Sequence, residues 1–196
     1  MVFNKANMKI GLFFGSFNPI HTGHLIIANY MLENSDLKEV WFVLSPQNPE
    51  KSKNSLLNIN HRLNLIKTAI EDNIKLKASN IEFSLPTPSY TSITLMHLSE
   101  KYPKKEFVII MGSDSYSNLK NWYNVDYILN NYFIYIYKRL GFEKINLITE
   151  ASTFFNTPII EISSTLIRKH IKEKKSIKYL VPNCIEEIIL NNKYYS

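Results

Sequence analysis

Cysteine is almost absent from these 196 residues, with Cys184 the one thiol. A lone thiol forms no internal disulfide and excludes a metal site built on several cysteines, which suits a reducing compartment. Its place beside a C-terminal helix predicts a small, buried, apolar residue. Long apolar runs are also missing. No stretch approaches the roughly 20 residues of a membrane-spanning helix, and the opening MVFNKANMKIG lacks the apolar core of a secretory signal. A cytoplasmic protein without membrane contact is therefore expected. Acidic residues are outnumbered, 17 against 23 Lys plus Arg, for a formal charge of +6. That excess is dispersed, and its densest run, 169–175, is interrupted by Glu173, so it reads as a solvated helix face rather than a nucleic-acid patch. A mildly basic surface does attract small polyanions. Repeats and low-complexity linkers are absent too, and the length suits one compact domain, 1–196, with its core within 9–182.

What is present is an alternation of short apolar runs and amphipathic segments. Residues 10–14 (IGLFF) form a buried-strand pattern ending at Gly15, and 15–23 is a loop punctuated by Gly and Asn-Pro. From His24 the segment LIIANYML has helical spacing. The pattern then repeats, with a strand at 40–44 and a helix at 59–70. Further strands are predicted at 81–85, 107–111, 133–137 and 159–162, and further helices at 90–98, 163–172 and 182–190. This order implies an α/β protein with a mostly parallel sheet and helices on both faces. Ligands of such sheets bind at the carboxyl ends of the strands, where strand order reverses.

Two segments carry phosphate chemistry. The first is GSFNPIHTGH, 15–24, between the opening strand and helix. Gly15 permits a sharp turn, Ser16 and Phe17 follow it, and amides at the start of the helix favour an anion. His21 and His24, three apart around Gly23, can face one phosphate from the same side and stabilise charge that grows during phosphoryl transfer. Two arbitrary histidines at this spacing are more often unrelated surface and core residues. A metal site lacks its remaining ligands, since no Cys, Asp or Glu lies near. The second segment is ISSTLIR, 162–168. Ser163 and Ser164 mark a helix start after Ile162, and Arg168, one turn on, can fork onto phosphate oxygens. Alone it is an N-cap followed by an exposed arginine.

Together these segments resemble the signature of the HxGH nucleotidyltransferase superfamily, in which an ISSTxIR-like motif holds the ATP β- and γ-phosphates opposite the two histidines. The resemblance implies a Rossmann-like fold, ATP as co-substrate, and His21, His24 and Arg168 as the catalytic set. Gly112 and Asp114, after a predicted strand, join the nucleotide site. PSYTSITL (88–95) and GSDSYSNLKNWY (112–123) resemble the acceptor motifs of bacterial nicotinate-nucleotide adenylyltransferases. In that family a Tyr-Thr pair bonds the pyridine carboxylate and a tryptophan stacks on the ring, which implies Tyr90, Thr91 and Trp122 here, with Tyr123 beside the last. SPQNPEKSK (45–53) resembles the acceptor loop, giving Gln47 and a phosphate-pairing Lys51, with Lys53 as substitute. Arg139 resembles the arginine of an Arg-Pro-Gly element.

Three positions depart from the family pattern: Ile93 replaces an acidic residue, Glu50 stands inside a Pro-His-Lys element, and Leu140 interrupts Arg-Pro-Gly. The phosphate motifs are intact. The implied reaction is adenylyl transfer from MgATP to nicotinate mononucleotide, giving nicotinate adenine dinucleotide and pyrophosphate, with Mg²⁺ held mainly by the ATP phosphates and no dedicated metal site. Rival readings are another phosphate acceptor, nicotinamide mononucleotide or phosphopantetheine, and a non-catalytic nucleotide-binding regulator. The expected partners are small-molecule substrates, with no nucleic acid and no membrane, and a homo-oligomer is compatible with the sequence.

Overall fold

The computed structural model describes residues 8–47 and 56–196. Strands β1 (Met8–Gly15), β2 (Glu39–Leu44), β3 (Leu76–Ser79), β4 (Lys105–Gly112), β5 (Phe133–Tyr137) and β6 (Ser152–Phe155) form one sheet in the order β3-β2-β1-β4-β5-β6. Every pairing is parallel. The chain runs outward from β1 to β3, then crosses back to place β4 on the other side of β1. That reversal opens a crevice beyond the carboxyl ends of β1 and β4.

Both faces are covered because the strands are apolar on both sides. Val40, Phe42 and Leu44 of β2, with Val108 and Ile110 of β4, pack with Ile27 and Met31 of α1 (Thr22–Asn34), Leu65 of α2 (Ile59–Ala69), Ile167 of α6 (Ser164–Lys172) and Ile185 of α7 (Asn183–Asn191). Alternate residues, Trp41 and Val43 with Phe107 and Ile109, face α3 (Thr91–Lys101), α4 (Ser113–Ser117) and α5 (Val125–Asn131). The two-residue period of a strand produces this division. Each fully buried aliphatic or aromatic side chain contributes about 1.5–3 kcal/mol.

Two predicted strands are displaced. The 81–85 segment is a 3-10 helix (Ile81–Ser84), and the strand precedes it as β3. Ile81, Phe83 and Leu85 alternate as a strand would, but Phe83 and Leu85 donate to carbonyls three residues back, those of Asn80 and Glu82. β3 (LKAS) is a sheet edge that buries only Leu76, so it carries little apolar signal. Residues 159–162 form no strand either, and the edge position belongs to β6. Cys184 is exposed on α7, not buried as expected. No helix among the described residues is long and apolar enough to cross a membrane.

Candidate active site

The turn from β1 into α1 brings His21 and His24 to one wall of a cleft of about 410 Å³. Their rings stack, with centroids 3.6 Å apart and 23° between planes. Gly23 allows this approach: a Cβ there would stand 2.8 Å from Ile160 Cγ2 and 3.1 Å from His21 Nδ1. The His21 backbone N–H donates to His24 Nδ1 at 3.2 Å. A ring nitrogen that accepts carries no proton, so neutral His24 keeps its hydrogen on Nε2 as a donor. His21 is 6% exposed, and burial, reinforced by the positive charge of Arg139, lowers its pKa to about 4. It is therefore uncharged near neutrality, which avoids two imidazolium ions at stacking distance. Phe17 supports the pair from below. Its φ of 40° costs about 1–3 kcal/mol for a residue with a side chain, but its ring is buried and meets His24 edge-on at 5.0 Å.

The facing wall is the start of α6. The Ser163 hydroxyl caps it by accepting from the Leu166 N–H at 3.2 Å, and Ser164 Oγ donates to the Pro19 carbonyl at 2.9 Å. Arg168 donates from Nη1 to the Asn18 carbonyl at 2.8 Å and from Nη2 to Thr165 Oγ1 at 3.2 Å. These bonds staple α6 to the histidine turn and hold the guanidinium on the cleft lining. Lys138 and Arg139, following β5, complete it, and among the described residues no Asp or Glu lies on the wall. Such a surface suits a polyanion.

Phe13 and Tyr137 separate this cleft from a second one of about 300 Å³, whose lining includes Gly15, Tyr90, Thr91, Gly112, Trp122 and Tyr123. The Tyr90 and Tyr123 rings lie 4.8 Å apart, and Ser92, in the first turn of α3, donates to the Tyr123 carbonyl at 3.1 Å. Flat apolar walls of this kind take a planar ring by stacking. Among the described residues, Glu82 is the one acid on the lining.

A family model described as cytidylyltransferase-like matches residues 12–170. A nicotinate-nucleotide adenylyltransferase of Cytophaga hutchinsonii is 51% identical over 190 residues, covering 96% of this chain and 99% of that protein. One of Bacteroides thetaiotaomicron is 42% identical, covering 93% and 91%. The chain belongs to the nicotinate-nucleotide adenylyltransferase family. Its fold is also that of the Plasmodium falciparum nicotinic acid mononucleotide adenylyltransferase complexed with NaAD, with a TM-score of 0.81, 22% identity, and coverage of 96% of this chain and 97% of that one.

Within this adenylyltransferase frame, the sequence-predicted residues divide between the two clefts. Ser16, His21, His24, Ile162, Ser163, Ser164 and Arg168 share the cationic one. Arg139, expected on the acceptor side, lines the cationic cleft instead, and its Nε lies 3.6 Å from Asp114 Oδ2. Both partners are about 40% exposed, so water screens the pair. Asp114 lines neither cleft; its carboxylate occupies the place a Cβ on Gly112 would need. Phe17 is core, beneath the site. Gln47 reaches the acceptor side through its backbone, accepting from Ser89 N–H at 3.0 Å. Glu50, Lys51 and Lys53 lie outside the described residues.

Sequence reasoning missed Tyr137, Lys138, Glu82 and Arg62. Arg62 is 2% exposed and donates to the carbonyls of Ser16, Ser45, Pro46 and Leu57 at 2.7–3.2 Å. It binds the histidine turn to the base of the acceptor side. The signal was a single arginine within an otherwise amphipathic helix, which reads as surface until its direction is known.

Proposed function

We propose that the cationic cleft holds the triphosphate of ATP, that the aromatic cleft holds nicotinate mononucleotide, and that the reaction joins them across the Phe13–Tyr137 boundary. A 5′-phosphate oxygen of the mononucleotide attacks the α-phosphorus of ATP in line. The new P–O bond forms as the bond to the bridging oxygen breaks, pyrophosphate leaves, and nicotinate adenine dinucleotide results. No covalent enzyme intermediate is required. The protein's work is to hold two mutually repelling anions in line and to stabilise the charge spread over the transferring group.

Roles follow from position. The Nε2–H of His24 and the neutral imidazole of His21 serve the α-phosphoryl oxygens. Arg168, with the capped start of α6, holds the departing pyrophosphate, aided by Lys138 and Arg139. Tyr90 and Thr91 address the pyridine substituent, and Trp122 stacks on the ring. Among the described residues, no cluster of His, Cys, Asp or Glu fits a resident divalent metal. Mg²⁺ is read as arriving on the substrate, as MgATP, and no step is routed through it.

The observation that carries this reading is the convergence of two stacked imidazoles and Arg168, drawn from opposite ends of the chain, on one cleft whose described residues include no acid. The test is a pyrophosphate-release assay with ATP and three acceptors: nicotinate mononucleotide, nicotinamide mononucleotide and phosphopantetheine. Fastest turnover with the first is expected. A preference for either of the others would replace the acceptor, and ATP binding without release from any would mark a non-catalytic regulator.

A further inference from the structure

Glu82 is an unexpected group in the aromatic cleft. It is 1% exposed, and among the described residues it is the one acid on the lining and no salt bridge reaches it. Its Oε1 lies 2.8 Å from Thr94 Oγ1, and its Oε2 is buried. The Ser89 hydroxyl is buried on the same lining and acts on the carboxyl.

Thr94 Oγ1 has two acceptor oxygens within reach, Glu82 Oε1 at 2.8 Å and the Tyr90 carbonyl at 3.3 Å, but a hydroxyl has one hydrogen to give. The Tyr90 carbonyl already accepts from the Ile93 and Thr94 N–H groups at 3.1 and 3.2 Å, so that hydrogen goes to the nearer oxygen, Glu82 Oε1. Thr94 thereby ties the buried carboxyl to the first turn of α3, directly after Tyr90 and Thr91.

We propose that Glu82 is a positioning residue for the acceptor, one that fixes the Tyr90–Thr91 turn through its bond to Thr94 on the lining of the cleft. The inference rests on the functional reading above and deepens it. Negative charge at this spot would repel the anionic carboxylate of nicotinate. Burial pushes the Glu82 carboxyl above the usual range, which lessens that repulsion, and Thr94, Ser89 and Ser45 offset part of the push.

The other titratable groups around it are few. Tyr90, Tyr123 and Tyr137 share the lining, and burial pushes the Tyr137 hydroxyl up to about 12. Of the elements packed on the 3-10 helix, β2 carries Glu39 at its far end, and α3 carries His97, Glu100 and Lys101 beyond Thr94.

The test compares wild type, Glu82→Gln and Glu82→Ala in steady-state assays with ATP and nicotinate mononucleotide. Glu82→Ala should raise the acceptor KM about tenfold and leave the ATP KM within about twofold. Glu82→Gln should rescue most of that loss, because its amide oxygen still accepts from Thr94. Should Glu82→Ala not fold, Thr94→Val, which removes the other end of the same bond, carries the test with the same split between the two KM values. An acceptor KM unchanged in these variants, an ATP KM that rises as much as the acceptor KM, or a Gln variant as impaired as Ala, would overturn the role of Glu82. A wild type that releases pyrophosphate with a different acceptor but not with nicotinate mononucleotide would overturn the functional reading and this inference with it.

Discussion

The two clefts meet at the same strand ends, yet they are built by opposite means. The cationic cleft is assembled from short, fixed contacts: stacked imidazoles, a capped helix start, and a guanidinium bonded to a backbone carbonyl. The aromatic cleft is lined by the ends of β1, β4 and β5 and by aromatic residues around the start of α3, whose side chains offer faces more than charges. A phosphate is the same in every nucleotide, so its site is specified by hydrogen-bond direction. A planar base varies among substrates, so its site is specified by shape and by one or two polar atoms. Changes in the first cleft should therefore reach the chemical step, and changes in the second should reach acceptor binding.

The largest effect is expected at His24. Replacing it with Ala removes a donor to the transferring group and should lower kcat by about 10³-fold, with a circular dichroism spectrum and melting temperature close to wild type. A turnover near wild type would break the contrast between the clefts. Arg168→Lys keeps the charge but loses the fork that reaches the Asn18 carbonyl and Thr165 together. It should cut kcat/KM for ATP by about 10²-fold and barely alter the acceptor KM. Trp122→Ala should do the reverse, raising the acceptor KM by about tenfold while the ATP KM stays put; equal effects on both would merge the two sites into one.

The smallest effect concerns stability. The folded His21 ring stays neutral down to about pH 4, against an ordinary value of 6.5. Between those values the unfolded chain binds a proton that the native ring refuses, so stability present above pH 6.5 declines as pH falls towards about 4. The loss should be on the order of 3 kcal/mol at most. Thermal melts of wild type and His21→Asn across that range should converge at the acid end; parallel curves would remove His21 as the cause.

How much of this was visible in the chain depended on whether a residue's role was local. His21, Gly23 and His24 form one turn, and Ser163 to Arg168 begin one helix, so their spacing carried their geometry. The central strands were legible for a similar reason, since burial on both faces leaves unbroken apolar runs. Edge strands were not: β3 and β6 each bury one residue, and apolar residues beyond them imitated strands more convincingly. Arg139 was assigned to the acceptor side because of its family element, but the direction of the chain after β5 turns it onto the cationic cleft. Glu82 sat inside an apolar segment with nothing to mark it, because its importance comes from Thr94 and Ser89 folding against it.

Arg62 has a consequence for how such an enzyme changes over time. One guanidinium holds the carbonyls of Ser16, Ser45, Pro46 and Leu57, so the turn that leads to the histidines and the end of β2 cannot drift apart independently. Exchanging it would oblige both walls to be rebuilt at once, which makes this buried cation a fixed reference for any reshaping of the site.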